Sequence, residues 1–431
     1  MLRYCYTLLS YLIQPLILFF MWRKSWKQPE YRARLAERYG FYGNATSPSS
    51  KGVVIHAASV GEVIAATPLI KAIQAKYPQL AVTITTVTPT GSERVKAAFG
   101  DSVSHFYLPY DLPGAIERFI TFIDPKLMIV IETELWPNLI RRLHQHHIPF
   151  VLANARLSPR SAKRYGWVKS GIHNMLHEIS LLMAQDSVSA DRYLALGFPP
   201  EKLVTTGNLK FDLEIDEALR KTVIDTAHEL NVHYRPIWIA GSTHEGEEKI
   251  ILEAHQALLE KHPNLVLILV PRHPERFADV ETLIQKSGLA YVKRTEQTAL
   301  SGSTQVLLGD TMGEMMLLYG LSKVAFVGGS LVKHGGHNPL EPIAFELPVI
   351  SGVYTYNFPE IFAKLAEVKG FVEVNSDTQS LVQAVEFLLE NRDARKTIAT
   401  AGFSVLQENQ GALERHLALL APYLEKNNER N

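Results

Sequence analysis

Along most of the chain, short apolar runs of four to eight residues alternate with stretches whose apolar positions recur at helical spacing. "GVVIHAA" reads as a buried strand, and "GEVIAATPLIKAIQAKYP" after it as a helix. "AVTITTVT", "HFYLPYD", "LMIVIETELWP", "PFVLANARL" and "ISLLMAQD" continue the series. A second series comprises "PIWIAGST", "LVLILVPRHP", "LAYVKRT", "TQVLLGDT", "KVAFVGGS" and "LPVISG". Strands that alternate with helices and are apolar throughout predict parallel sheets covered on both faces. "GNLKFDLEIDEALR", Gly207 to Arg220, separates the two series, and "GALERHLALLAPYL" predicts a closing amphipathic helix. The expectation is α/β, two Rossmann-like domains with a cleft between them, over residues 26–208 and 221–431. Residues 209–220 form the linker, and the last helix is expected to pack back on the N-terminal domain. In such sheets ligands bind beyond the carboxyl ends of the strands.

The first residues break the pattern. Tyr4 to Trp22 is apolar apart from Thr7, Ser10 and Gln14, about the length of a short membrane helix. Arg23, Lys24 and Lys27 follow it and only Arg3 precedes. The positive-inside rule places the folded part on the cytoplasmic face, with residues 1–25 as anchor. A cleaved leader fits less well, since no small-residue cleavage site precedes the basic cluster. Pro15 permits a kinked or re-entrant anchor in place of a full span. Up to Lys51, eight basic residues face two acidic ones, a net of plus six that suits anionic lipid.

Composition narrows the chemistry. The 431 residues exceed one ordinary core. Lys plus Arg and Asp plus Glu number 44 each, which argues against a dedicated nucleic-acid binder. The single cysteine, Cys5, excludes a disulfide framework and a cysteine zinc site within one chain. Neither G-x-G-x-x-G nor a P-loop is present. "HEGEE" at His244 lacks the second histidine of a metalloprotease, and "HQHH", His144 to His147, reads better as a solvated helix end than as a metal site.

The strand ends carry the candidate chemistry. "FVGGSLVKHGGHNPLEP", Phe326 to Pro342, lets the backbone pass close to a ligand and opens a helix at Asn338, capped, with Pro339 next. Its N–H groups suit a phosphate, with Leu340 and Glu341 in the first turn and Glu341 toward ribose hydroxyls. Pro271 and Arg272 end another strand, and Met312, Gly313 and Glu314 sit at a third strand-to-helix junction. Three such loops on one edge read better as a nucleotide site than as three surface turns. In the first half the matching edge carries Glu62 in "HAASVGE", Glu132 and Glu134 in "IETELWP", and Lys210. Each alone reads as a structural ion pair; together they suit proton transfer and a developing anion.

The motifs "HAASVGE", "TTVTPTGSERV", "YLPYDLP", "IETELWPNLI", "ANARLS", "TGNLKFD", "STHEGEE", "LVPRHPERF", "GDTMGEM", "FVGGSL" and "GGHNPLEP" together resemble the bacterial 3-deoxy-D-manno-octulosonic acid (Kdo) transferases of lipopolysaccharide synthesis. The resemblance runs from the N-terminal segment almost to the C-terminus. It implies the GT-B fold, CMP-Kdo as donor and lipid IVA as acceptor, at the cytoplasmic face of the inner membrane. It also implies Glu62 as general base, with Glu132 and Lys210 stabilising the transition state. The CMP contacts it implies are Pro271 and Arg272, Met312 to Glu314, and Asn338 to Glu341. The family's anomers imply inversion, and a single phosphate as leaving group makes a metal less needed; no metal or further cofactor is expected. The bisphosphorylated acceptor calls for a basic surface. "ARLSPRSAKRYGWVKSGIH" supplies Arg156, Arg160, Lys163, Arg164 and Lys169 around Tyr165 and Trp167, and a solvated basic helix is the equal alternative. Two rivals remain: another GT-B nucleotide-sugar enzyme, either a lipid-linked sugar transferase or a UDP-sugar epimerase, and a membrane-anchored binding module without catalysis. The base of the nucleotide separates the first, and the intact Glu62, Glu132 and Lys210 set argues against the second.

Overall fold

A computed structural model describes residues 2–26, 28–43, 45–213 and 215–425. The chain divides into two compact units, Met1–Asp212 with Gln410–Asn431, and Leu213–Asn409. Each is built on one seven-stranded, wholly parallel sheet.

The sheet of the first unit contains β1 (Val53–His56), β2 (Val82–Thr86), β3 (Ser104–Tyr107), β4 (Leu127–Ile131), β5 (Phe150–Ala155), β6 (Leu181–Ala184) and β7 (Leu203–Thr205). Their order is β3-β2-β1-β4-β5-β6-β7, so the direction of winding reverses between β1 and β4. Strands β1, β2, β4, β5 and β6 are buried at every residue, because apolar helices cover both faces. One face packs on Ile116, Phe119, Leu139 and Leu176; the other packs on Val63, Leu69 and Ile73 of the helix Val60–Lys76. Leu420 and Leu424 of the closing helix Ala412–Glu425 join that second face.

The second unit holds β8 (Ile237–Thr243), β9 (Val266–Pro271), β10 (Tyr291–Lys293), β11 (Val306–Leu308), β12 (Val324–Val327), β13 (Val349–Gly352) and β14 (Phe371–Val374). They run in the order β10-β11-β9-β8-β12-β13-β14, with the reversal between β8 and β12. The pattern reading missed β7 and β14, short edge strands that lack the fully apolar run of a central strand.

The loop after β12 is pinned from below. Gly328 has no room for a side chain, since a Cβ would lie 2.5 Å from Ser242 O. Glu247, fully buried, accepts the N–H groups of His244 (2.9 Å), Gly329 (2.7 Å), Ser330 (3.0 Å) and Leu331 (2.9 Å). Its neighbour Glu248 takes Thr243 Oγ1 at 3.0 Å and pairs with Arg276. The "HEGEE" motif therefore joins the two strands at the winding reversal.

The N-terminal segment forms two helices rather than one. Among the described residues no single helix is long and apolar enough to cross a membrane, while Tyr4–Leu12 and Gln14–Lys24 reach that length and composition only as a pair bent by 42°. The break lies at Ile13 because Pro15, in the first turn of the second helix, has no N–H and crowds the carbonyl four residues back. Each polar residue of the segment is hydrogen-bonded: Thr7 to Asn138 Oδ1 (3.0 Å), Ser10 to Tyr6 O (2.9 Å), and Gln14 to Ser10 O (2.7 Å) and the Tyr39 hydroxyl (3.0 Å). Lys27 lies outside the described residues, and so do the side chains of Arg3 and Lys169.

Glu247→Gln places an amide where two N–H donors now meet an oxygen. The expected loss is about 3 kcal/mol, read in denaturant unfolding of the full chain; an unchanged midpoint would show that the loop is held by other contacts.

Candidate active site

In the first unit the winding reversal sets the carboxyl ends of β1 and β4 side by side, and Glu62 and Glu132 follow those two strands. Ser59 caps the helix Val60–Lys76 and accepts the N–H of Glu62 at 3.3 Å. The Glu62 carboxylate folds back, with Oε2 accepting the N–H of Ala58 (2.7 Å) and Oε1 the Ser59 hydroxyl (2.9 Å). A first-turn cap and a candidate base are thus one residue. Burial pushes its pKa up to about 7; the Ala58 N–H and Ser59 hydrogen bonds oppose the shift, and the charges of Glu132 and Glu134 reinforce it. A carboxyl group near neutrality is suited to take and give a proton. His56, in the same motif, is fully buried, faces Thr85 through Nδ1 and is kept neutral by burial, its pKa lowered to about 4. It is a strand-end core residue.

Glu132 adopts φ +63°, rare for a residue with a side chain, and donates its N–H to Ala153 O at 3.0 Å. Its Oε1 meets Lys210 Nζ at 2.8 Å, with both side chains largely shielded. Lys210 rides on the short 3₁₀ turn Leu209–Phe211, whose start is capped by Asn208 Oδ1. Glu134 accepts the indole N–H of Trp136 at 2.7 Å. Asp111 holds the loop beyond, accepting the N–H groups of Asn138 (2.9 Å) and Leu139 (2.8 Å) at the start of the helix Pro137–Gln145. Glu62, Glu132 and Lys210, scattered over 149 positions of sequence, converge on one sheet edge.

In the second unit Pro271 ends β9 and the Arg272 N–H reaches Thr243 O at 3.0 Å. The Met312–Glu314 loop follows β11. Gly313 takes φ +88°, Met312 is exposed, and Glu314 is held by Arg294 at 2.9 Å and by the Thr311 hydroxyl. The helix expected to open at Asn338 is shorter and later, Leu340–Ala344. Pro339 forms its boundary, and Asn338 still caps it by accepting the Leu340 N–H at 3.1 Å. Asn357 braces the preceding turn through His334 O (2.8 Å) and Gly336 O (3.2 Å). His244 and His337 meet through their Nε2 atoms at 2.8 Å, and burial keeps both neutral, with pKa values lowered to about 4 and about 3.

The segment around Arg160 is two helices, Pro159–Gly166 and Lys169–His177. Arg160, Lys163 and Arg164 are exposed, Arg156 is half-buried just before the first helix, and Trp167 at the junction is 76% exposed. The "HQHH" cluster closes the helix Pro137–Gln145, where His146 Nε2 meets Glu117 at 2.8 Å.

Residues 33–213 match the family described as 3-deoxy-D-manno-octulosonic-acid transferase (kdotransferase), and residues 235–405 match glycosyl transferases group 1. A 3-deoxy-D-manno-octulosonic acid transferase of Haemophilus influenzae is 60% identical over 426 residues, 99% of each chain. This chain belongs to the Kdo transferase family. It is a glycosyltransferase. A second relative, the 3-deoxy-D-manno-octulosonic acid transferase of Bordetella pertussis, is 32% identical over 98% of this Kdo transferase and 99% of its own length. The UDP-GlcNAc 2-epimerase of Neisseria meningitidis, solved with UDP-GlcNAc, covers 86% of this chain and 100% of its own at 17% identity and a TM-score of 0.57, a likeness of fold alone.

Motif reading passed over Glu247, Asp111, Asn154 and Arg294 in this Kdo transferase. Each sits inside a quoted motif or one residue from a strand, yet its partner lies elsewhere in the sequence.

The Glu62 carboxyl has its folded pKa raised above the ordinary 4.5. It therefore contributes stability that is complete below about 4.5 and is lost as pH rises through about 7. Glu62→Gln cannot ionise and escapes that loss. The stability of Glu62→Gln relative to wild type is expected to rise between pH 5 and pH 8 by at most about 3 kcal/mol, read from melting curves of the two proteins. Parallel curves for the two proteins would show that Glu62 titrates normally.

Proposed function

We propose that this Kdo transferase moves Kdo from CMP-Kdo to lipid IVA by inverting displacement with Glu62 as general base. The observation that carries the reading is the Glu62 carboxyl at the winding reversal of the first sheet, with a proton affinity near neutrality. As the acceptor hydroxyl oxygen bonds to the anomeric carbon, its proton passes to Glu62. The bond from that carbon to the phosphate oxygen breaks, and its electron pair leaves with CMP. Attack opposite the leaving group inverts the centre.

Lys210 supplies the positive charge that balances the Kdo carboxylate or the departing phosphate, and Glu132 orients it while facing the developing oxocarbenium. CMP is held by the second unit. Pro271 and Arg272 with the Met312–Glu314 loop take phosphate and cytosine; Asn338, Pro339, Leu340 and Glu341 take phosphate and ribose. With only five residues in the helix Leu340–Ala344, the loop N–H groups rather than a long helix dipole serve the phosphate.

The N-terminal pair fits a cytoplasmic-face anchor that lies in the membrane surface rather than crossing it. Leu8, Leu12, Leu16, Phe19, Phe20 and Trp22 are exposed, while Thr7 and Gln14 bind Asn138 and Tyr39 of the same unit. Arg160, Lys163 and Arg164, with Arg156 beside them, then face the phosphates of the acceptor, and Trp167 suits the headgroup layer.

Incubation of the protein with lipid IVA and a supply of CMP-Kdo is expected to give Kdo mass increments by mass spectrometry. Glu62→Gln is expected to lose about 10²–10⁴-fold in rate, and the wild-type kcat/KM to rise with pH through about 7. No increment from folded protein with intact donor would reject the reaction, and full activity in Glu62→Gln would reject the base. Arg160→Glu with Arg164→Glu is expected to raise KM for the lipid acceptor and leave KM for CMP-Kdo unchanged; an unchanged acceptor KM removes the docking role of this helix.

A further inference from the structure

The closing helix Ala412–Glu425 reaches the Lys210–Glu132 pair through hydrogen bonds that no motif announces. His416, within it, is fully buried. Its Nδ1 lies 2.7 Å from Ala412 O, so that nitrogen carries the proton, and Nε2 accepts the N–H of Asn154 at 3.1 Å. Burial lowers the pKa to about 4, which keeps the ring neutral and its lone pair available.

Asn154 stands near the end of β5, fully buried, with φ +52°. Its Oδ1 accepts the N–H of Leu209 at 3.1 Å, one residue before Lys210. The adjacent Ala153 carbonyl accepts the N–H of Glu132, which also has a left-handed backbone. Two neighbouring residues with side chains therefore hold a disfavoured conformation, which persists only where surrounding contacts over-determine it. The same turn is tied to the start of the closing helix, as Asp212 accepts the N–H groups of Gly411 and Leu413 at 2.6 Å each.

We infer that His416 is a positioning residue for the transfer: by accepting the Asn154 N–H it locks the end of β5, and through Asn154 and Ala153 it sets where the Lys210 ammonium and the Glu132 carboxylate meet. The inference rests on the reading that this pair acts in the reaction. His416 touches neither member of the pair through its own hydrogen bonds; it acts on the main chain that carries them.

The test is steady-state kinetics of the full chain with CMP-Kdo and lipid IVA. His416→Leu removes the acceptor and is expected to lower kcat about ten- to a hundredfold, with KM for CMP-Kdo unchanged. His416→Gln returns an oxygen to the Nε2 position and is expected to restore most of the rate. Asn154→Gly keeps the left-handed backbone without strain while deleting the bond to Leu209, so it is expected to fold and still lose kcat. In a Lys210→Gln background, His416→Leu is expected to cost nothing further. Wild-type kcat in Asn154→Gly, or an undiminished further loss in the Lys210→Gln background, would overturn the inference. Wild-type kcat in Lys210→Gln would instead remove the role of the pair, and this inference with it. A large loss in Lys210→Gln beside normal rates in Asn154→Gly and His416→Leu would remove the inference alone.

Discussion

Both sheets are parallel and their central strands are buried on both faces, so every connection must cross over from one edge to the other and every strand must end at the same edge. That constraint governs the rest of the molecule. It gathers the loops after β1, β4, β9, β11 and β12 at carboxyl ends, and it opens space where the winding reverses, between β1 and β4 and between β8 and β12. Glu62 and Glu132 stand at the first reversal. The glycine-rich loop and Glu247 stand at the second.

Three glutamates at these edges have three sets of partners. Glu247 receives four backbone N–H groups and serves as a structural clamp. Glu132 meets Lys210 Nζ at 2.8 Å. Glu62 receives one N–H and one hydroxyl, too little to offset its burial beside two other carboxylates, and its pKa rises to about 7. The same side chain thus becomes a clamp, a counter-ion or a carboxyl with its pKa raised toward neutrality, according to what faces it.

The two chain ends serve the first unit in different ways. The N-terminal pair is fastened by the few polar residues of an apolar segment, which leaves its hydrophobic side chains turned outward. The closing helix does the reverse. It buries Leu420 and Leu424 against the sheet and spends its one buried histidine on the main chain behind the Lys210–Glu132 pair.

Much of this was legible in the amino-acid order. Local periodicity determined the parallel α/β architecture, because a strand buried on both faces must be apolar throughout. The motifs placed Glu62, Glu132, Lys210, Arg272 and the Asn338–Glu341 turn at strand ends, and they marked the family. Strand order, and therefore which strand ends become neighbours, was decided only in the folded chain, since it depends on pairings between distant segments. So were the left-handed backbones of Glu132 and Asn154, the clamp at Glu247 and the reach of His416 to Asn154. Each of these is a contact between groups far apart in sequence or a conformation that such contacts enforce, and a one-dimensional pattern carries no information about what will stand opposite a side chain once it is buried.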